Sequence, residues 1–357
     1  SFSMQTDFLI IGQGLAGSLL AWELISRGCY VVVVDSGKEN ASLIAAGIIN
    51  PITGMRLVKT GDVETLLPTA HDCYDQLSKF FGQRFYIKKP MLRIFRDETE
   101  LAHCINRQQQ AGYAPYLGNI APVGQQLANL STPYGYIQQY ETGHLLTTSL
   151  LSCLKQFFIE RNSYRQDIVV YQSIHVDSVV SWKDITAKQL IFCEGYHASH
   201  NPWFSWLPLR PAKGEILRLS NPVEIPNAIL NYGNWLLPLG DGTMRIGATF
   251  DREQIDTQPS VQGRETLLNT LKAYSPSLAQ SVVIAHQTGI RPCTTDRHPF
   301  IGRHPKHGKI AIFNGFGTKG SLQIPWYSQR FADYLLNQQP LPQSCDIQRF
   351  QATNFPG

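Results

Sequence analysis

Asp7-Phe8-Leu9-Ile10-Ile11-Gly12-Gln13-Gly14-Leu15-Ala16-Gly17 decides the fold: an apolar run of strand length enters a Gly-x-Gly-x-x-Gly turn without a break. Ser18 to Arg27 then reads as a helix that Gly28 closes, and Tyr30-Val31-Val32-Val33-Val34 is a β-branched run ending in Asp35. Each glycine of the turn has a physical task. Gly12 makes the turn, Gly14 lets backbone approach a pyrophosphate, and Gly17 lets helix and strand pack closely. The helix start at Leu15 and Ala16 offers N–H groups and a positive dipole end to the phosphates. Asp35, with Ser36 beside it, lies 23 residues after Gly12, where a carboxylate accepts hydrogen bonds from an adenosine ribose. A lone Gly-x-Gly-x-x-Gly can be an ordinary tight turn. Here the preceding strand, the following helix and the acidic strand end all fit a dinucleotide site, with FAD and NAD both open.

The composition around this unit narrows the class. At 357 residues one large or two interleaved domains are expected. With 43% hydrophobic and 16% charged residues, the chain has ample apolar surface to bury, which excludes intrinsic disorder. A formal charge of +4 is too small to mark a nucleic-acid footprint. Seven scattered cysteines do not make a secreted disulfide framework, so a reduced, cytoplasmic setting is expected. Ser1-Phe2-Ser3 precede Met4 and read as a cloning remnant outside the fold. The apolar stretch Phe8 to Trp22 is too short and too punctuated to span a bilayer.

The remainder of the chain separates FAD from NAD. An NAD dehydrogenase would continue in regular β-α alternation, but Ala41-Ser42-Leu43-Ile44-Ala45-Ala46-Gly47 is a small-residue segment ending in the turn Asn50-Pro51. Small side chains there let backbone approach a bulky planar group. A helix is expected from about Gly61 to Phe81, and another from Leu145 to Phe158. Phe85-Tyr86-Ile87 and Met91 to Phe95 read as antiparallel strands, and Ile168 to Tyr171 and Gln189 to Cys193 as short strands. Ala212 to Leu219 and Asn234 to Leu239 are further strands, and Gly240-Asp241-Gly242 turns the latter into Met244 to Ala248 as a hairpin. Near the end, Lys309 to Phe313 leads into Gly315-Phe316-Gly317-Thr318-Lys319-Gly320 and a helix toward Leu336. This second glycine-rich strand-to-helix junction could address the far end of a long cofactor, its positive end favouring charge on a reduced isoalloxazine. FAD fits better than NAD. No linker divides the chain, so the domains are expected to weave through each other.

These motifs in this order resemble the D-amino-acid oxidase/glycine oxidase/sarcosine oxidase family of FAD-dependent enzymes over essentially the whole chain. The carriers are Gly12-x-Gly14-x-x-Gly17, Ala45-Ala46-Gly47, Arg210-Pro211-x-Lys213-Gly214-Glu215, Leu237-Pro238, Arg245-Ile246-Gly247-Ala248-Thr249, Gly289-Ile290-Arg291-Pro292, Pro299-Phe300-Ile301-Gly302 and Gly315-x-Gly317-x-x-Gly320. The resemblance implies a mixed α/β fold, a Rossmann-like FAD-binding domain (4–85, 140–205 and 285–357) interleaved with an antiparallel-sheet substrate domain (86–139 and 206–284). It also implies oxidation of a C–N bond by hydride transfer to flavin N5, with molecular oxygen or another acceptor taking the electrons onward.

Residue roles follow from the same likeness. Arg291 matches the family's carboxylate-clamping arginine, and a guanidinium fork beside a flavin edge suits a carboxylate bidentately. Arg245 falls where sarcosine oxidases carry a lysine that helps to activate oxygen. Thr318 and Lys319 could contact the flavin pyrimidine, and Tyr232 and Trp235 could line the substrate cavity. The position of the covalent-flavin cysteine of sarcosine oxidases reads Gly289, so dissociable FAD is expected, with Cys293 a lesser candidate for a link. The histidines and cysteines show no metal-ligand spacing. Alternatives remain: Ala46-Gly47, Asn50-Pro51 and the second glycine loop resemble the flavin domain of the bifunctional enzyme making 5-methylaminomethyl-2-thiouridine in tRNA, which implies a wobble-uridine substrate. The third is a non-catalytic flavoprotein or partner subunit.

Overall fold

The computed structural model describes residues 3–38 and 46–357. The opening motif forms as its sequence demands. Strand Met4–Ile11 pairs in parallel with Val31–Asp35, and helix Leu15–Ser26 connects them. The helix begins at Leu15, three residues before the expected Ser18, because Gly14 is already its N-cap. Leu19, Leu20 and Leu24 face the core and pack it against helices Thr147–Glu160 and Gly320–Asn337.

Around that unit grows an eight-stranded sheet. Ile185–Phe192 adds in parallel to the other edge of Met4–Ile11, and Ile310–Asn314 adds in parallel to Ile185–Phe192. The ends of these strands bring both glycine junctions to one edge of the sheet, although some 300 residues separate them. This is the arrangement in which open α/β sheets bind ligands, beyond the carboxyl ends of the strands.

A second eight-stranded sheet runs Val283–Arg291, Ala212–Ser220, Thr243–Gly247, Asn234–Pro238, Ile229–Tyr232, Met91–Ile94, Tyr136–Gln139, Leu117–Ala121. All its pairs are antiparallel except Ile229–Tyr232 with Met91–Ile94. The expected hairpin at Gly240-Asp241-Gly242 is present, pairing Asn234–Pro238 with Thr243–Gly247. Strand Val283–Arg291 lies wholly in this sheet, so a boundary at 284/285 would cut through a hydrogen-bonded ladder. One face carries Leu217, Leu219, Leu230, Leu236, Met244 and Ile246, buried under helix Val261–Tyr274. The other carries Met91, Ile229, Leu237 and Trp235, against which Ile48 packs.

Two local expectations are corrected. Tyr86–Lys88 and Met91–Ile94 do not pair with each other: the first joins Gly143–Leu145 in a three-stranded sheet with Ile48–Ile49, the second joins the large sheet. Lys89-Pro90 between them has no residue suited to a two-residue hairpin, and Pro90 donates no hydrogen bond. Ile168 to Tyr171 is not a strand. The ladder with Val33–Asp35 is made by Tyr164–Gln166 and ends where the Asp167 N–H meets the Asp35 carbonyl, leaving Ile168 and Val170 exposed. Helix Val63–Phe81 matches its expectation, and the Leu145 to Phe158 helix is Thr147–Glu160. Among the described residues no helix is long and apolar enough to cross a membrane.

Candidate active site

The first glycine junction is built for close backbone approach. Gly12 sits at φ +117°, and a Cβ there would stand 2.1 Å from the Cys193 carbonyl oxygen; one on Gly17 would stand 1.9 Å from the Gly12 oxygen. The helix that follows has Gly14 as N-cap with no side-chain cap and no acid in its first turn. Its dipole end is therefore left for a ligand of opposite charge. Asp35 accepts from the Gln13 N–H at 3.0 Å and the Gly37 N–H at 2.8 Å, which fixes the carboxylate beside Ser36 while its other lone pairs stay available. Buried Gln13 locks the loop from behind, donating to Ser18 Oγ at 2.9 Å and to the Leu151 carbonyl at 3.1 Å.

The second junction has the same character. Helix Gly320–Asn337 starts after Lys319 without a side-chain cap or an acid in its first turn. Gly315 and Gly317 take φ of +84° and +56°. Asn314, almost fully buried at the end of its strand, accepts from the Gly195 N–H at 3.0 Å and donates to the Gly195 carbonyl at 2.8 Å. That pair of hydrogen bonds staples the second junction to the turn after Ile185–Phe192. Glu194, next to Gly195, accepts from Tyr171 Oη at 2.7 Å and Asn201 Nδ2 at 3.0 Å, and burial raises its pKa. Lys319 Nζ donates to Thr60 Oγ1 at 3.3 Å, beside Thr318; burial, joined by the charge of Arg297, pushes its ammonium below the ordinary value. Gly47, at φ +69°, lies so close to the Leu145 backbone that a Cβ would come within 2.2 Å of its oxygen, and Ala46 precedes it. Ala45 lies outside the described residues.

Across from these loops stands the Trp235 face of the second sheet. Arg291 is on it, with its guanidinium over Gly214, donating to the Thr249 carbonyl at 3.0 Å and 5.5 Å from the Phe250 ring centroid. Burial pushes its pKa down, yet a guanidinium stays charged at neutral pH. Among the described residues no carboxylate forms an ion pair with it. Cys293 connects this cation to the second glycine loop, since a Cβ on Gly317 would meet its Sγ at 3.5 Å. Arg245 lies on the same face, paired in register with Leu237, and burial and Arg218 lower its pKa. His144 on Gly143–Leu145 is nearly buried, and burial, Lys89 and Arg245 together drive its pKa down to about 4.

Trp235 packs with Leu237 and Met91 on this face. Tyr232 does not belong here. Its ring packs on the opposite side against Tyr274, 5.6 Å between centroids. Strand alternation explains the difference, because Tyr232 shares parity with Leu230, which is buried under the helix. Sequence reasoning assigned no role to Thr60, Asn314, Thr249, Phe250 or His144. Asn314 carried a signal, as a polar residue ending an apolar strand just before a glycine, and Thr249 stood at the end of one of the motifs that carry the resemblance.

The sequence profile of the family described as DAO, FAD dependent oxidoreductase, matches residues 7–334. Glycine oxidase of Pseudomonas putida is 23% identical over 95% of this chain and 96% of its own length. The tRNA 5-methylaminomethyl-2-thiouridine biosynthesis bifunctional protein MnmC of Marinobacter nauticus is 24% identical over 92% of this chain, which spans 55% of that protein. Among solved structures, glycine oxidase from Geobacillus kaustophilus superposes with a TM-score of 0.80 at 20% identity, covering 99% of this chain and all of that one.

Proposed function

Given that this chain belongs to the DAO family of FAD-dependent oxidoreductases, we propose that it oxidises the C–N bond of a small carboxylate-bearing amine, an amino acid or an N-substituted glycine. The observation that carries this reading is Arg291: a partly buried guanidinium, without a carboxylate ion-pair partner among the described residues, two residues before the Cys293 that abuts the second glycine loop. A buried cation lacking its counter-ion is costly unless a ligand supplies one. A substrate carboxylate does so bidentately and fixes the adjacent carbon.

The residues present fit FAD. Gly12, Gly14 and Gly17 with the uncapped helix at Leu15 and Ala16 would hold the pyrophosphate, and Asp35 and Ser36 the ribose. Ala46, Gly47, Gly315, Gly317, Thr318, Lys319 and Gly320 would hold the isoalloxazine end. When bound, FAD supplies the two-electron acceptor for hydride from the carbon beside the amine nitrogen, and water hydrolyses the resulting imine. Arg291 orients the substrate, Trp235 walls the cavity, and Arg245 adds positive charge on the same face. The FAD-holding part comprises 4–85, 140–205 and the chain after Arg291, with the substrate face supplied by 86–139 and 206–291. Gly289, opposite Gly214 in the ladder, offers no sulfur, which supports a dissociable cofactor, with Cys293 beside the second glycine loop the lesser candidate for a link.

Anaerobic reduction tests the reading directly. Glycine, sarcosine, D-amino acids, proline and N-carboxymethyl amines are added in turn to the flavin-loaded protein. At least one bleaches the flavin, and Arg291→Ala removes that response while the oxidised spectrum persists. Failure of every carboxylate-bearing amine to bleach it would favour a non-catalytic flavoprotein. The likeness to MnmC keeps a tRNA wobble-uridine side chain as a second reading, because a carboxymethylaminomethyl group also sets a carboxylate beside an amine. Absence of tRNA binding at low salt eliminates it.

A further inference from the structure

Phe250 is half exposed, yet its backbone is tightly held. Beyond Gly247 the chain runs on beside Ala212–Ser220: the Thr249 N–H reaches the Glu215 carbonyl at 3.2 Å, and Lys213 and Asp251 exchange backbone bonds of 2.7 and 3.0 Å. The Thr249 hydroxyl accepts from the Glu215 N–H at 2.9 Å. The ring is therefore placed by ladder bonds on either side of it. Two cations share it: the guanidinium carbon of Arg291 lies 5.5 Å from its centroid and that of Arg252 lies 5.0 Å. Both distances are within the range in which a ring quadrupole attracts a cation.

Arg252, like Arg291, takes part in no ion pair among the described residues. The charges of both act on the same Cys293 thiol, next to the second glycine loop. Two like charges gathered on one ring repel each other, and among the described residues neither is offset by a salt bridge to a carboxylate, although Asp251 and Glu253 flank Arg252 in the chain. The favourable complement is a ligand with an anion for each.

We propose that Phe250 and Arg252 form a second anion-recognition element beyond Arg291, so that the site prefers N-substituted glycines whose substituent carries another negative charge. The proposal rests on Arg291 being the carboxylate clamp. The first carboxylate sits on Arg291, the amine points toward the cofactor loops, and the second anion meets Arg252 at the mouth. Both cations approach the Phe250 ring, which ties their positions to each other.

The test uses the flavin-loaded protein and unreactive acids of equal carbon count, pentanoate and pentanedioate, titrated by the flavin difference spectrum. Pentanedioate binds about tenfold tighter than pentanoate in the unmodified protein, as expected for one more charge-assisted contact. The ratio falls to about twofold or less in Arg252→Gln and is retained in Arg252→Lys. The rate of anaerobic reduction by iminodiacetate relative to sarcosine falls in parallel. No preference for the diacid, or a preference that Arg252→Gln leaves intact, overturns the proposal. The clamp reading is judged separately. If Arg291→Gln leaves pentanoate binding unchanged, the proposed function fails, whereas a lost pentanoate response with an unaltered Arg252→Gln ratio sinks only the second element.

Discussion

The Arg291 guanidinium lies over Gly214 so closely that a Cβ on Gly214 would come within 2.3 Å of Arg291 Nη2. The absent side chain is what makes room for the cation, and the Thr249 carbonyl then fixes its direction. Gly214→Ala must displace the fork. We expect kcat/KM for carboxylate-bearing amines to fall about 10- to 100-fold, since small misplacements of a substrate-positioning group have effects of that size. The flavin spectrum stays the same. Stopped-flow anaerobic reduction measures it, and an unchanged rate would remove Arg291 from the reaction.

Asn314 satisfies both backbone groups of Gly195. Asn314→Ala leaves a partly buried N–H and C=O unpaired and unhooks the second glycine junction from its neighbour. A loss of about 2 kcal/mol in stability is expected, together with weaker FAD retention. Denaturant unfolding with and without added FAD reads both. Equal stability to the parent protein would show the staple to be energetically idle.

Gly12 and Gly28 both take positive φ, at +117° and +88°, but only Gly12 is crowded. Gly12→Ala drives a Cβ into the Cys193 carbonyl, so soluble protein is expected to be scarce and to lack flavin absorbance. Gly28→Ala meets nothing within 4 Å and pays conformational strain alone, about 1 kcal/mol. Flavin content per mole of purified protein distinguishes the two variants.

Acid stability should depend on His144. Its pKa is about 4 in the fold, against about 6.5 unfolded, so the unfolded chain binds a proton that the folded chain refuses between those values. Stability therefore falls as pH drops through that window. His304, held at about 4 by burial together with His307 and Lys306, contributes in the same direction. His144→Gln is expected to flatten the slope of unfolding free energy between pH 6.5 and 4 without abolishing it. An unaltered slope would mean that His144 is protonated normally in the fold.

Tyr232 and Trp235 lie three residues apart but on opposite faces. Tyr232→Phe should leave kcat/KM within about twofold, because the lost hydroxyl faces away from the cavity. Trp235→Ala opens the cavity wall and raises KM. A large kinetic defect in Tyr232→Phe would contradict the register of that strand.

Much of the molecule could be read along the chain. The strand–glycine–helix–strand unit at the start, the hairpin at Gly240-Asp241-Gly242 and the second glycine junction are local patterns, and each formed where its residues stand. Turn chemistry and apolar periodicity act over a few residues, so their consequences are visible without knowing any partner. Other features needed the fold. Tyr86–Lys88 takes its neighbour from Gly143–Leu145, and Ile168 to Tyr171 loses to Tyr164–Gln166, because ladder pairing is chosen by distant segments competing for one edge. Which face Tyr232 occupies depends on a register that a single residue of slip would invert. The bonds of Asn314 to Gly195 and of Lys319 to Thr60, and the seat of Arg291 on Gly214, join positions far apart in the chain. By itself the sequence determined the cofactor-binding unit and the kind of residues near it. Only tertiary packing decided which of them meet, because hydrogen bonds and close contacts act over a few ångströms in space, whatever the separation along the chain.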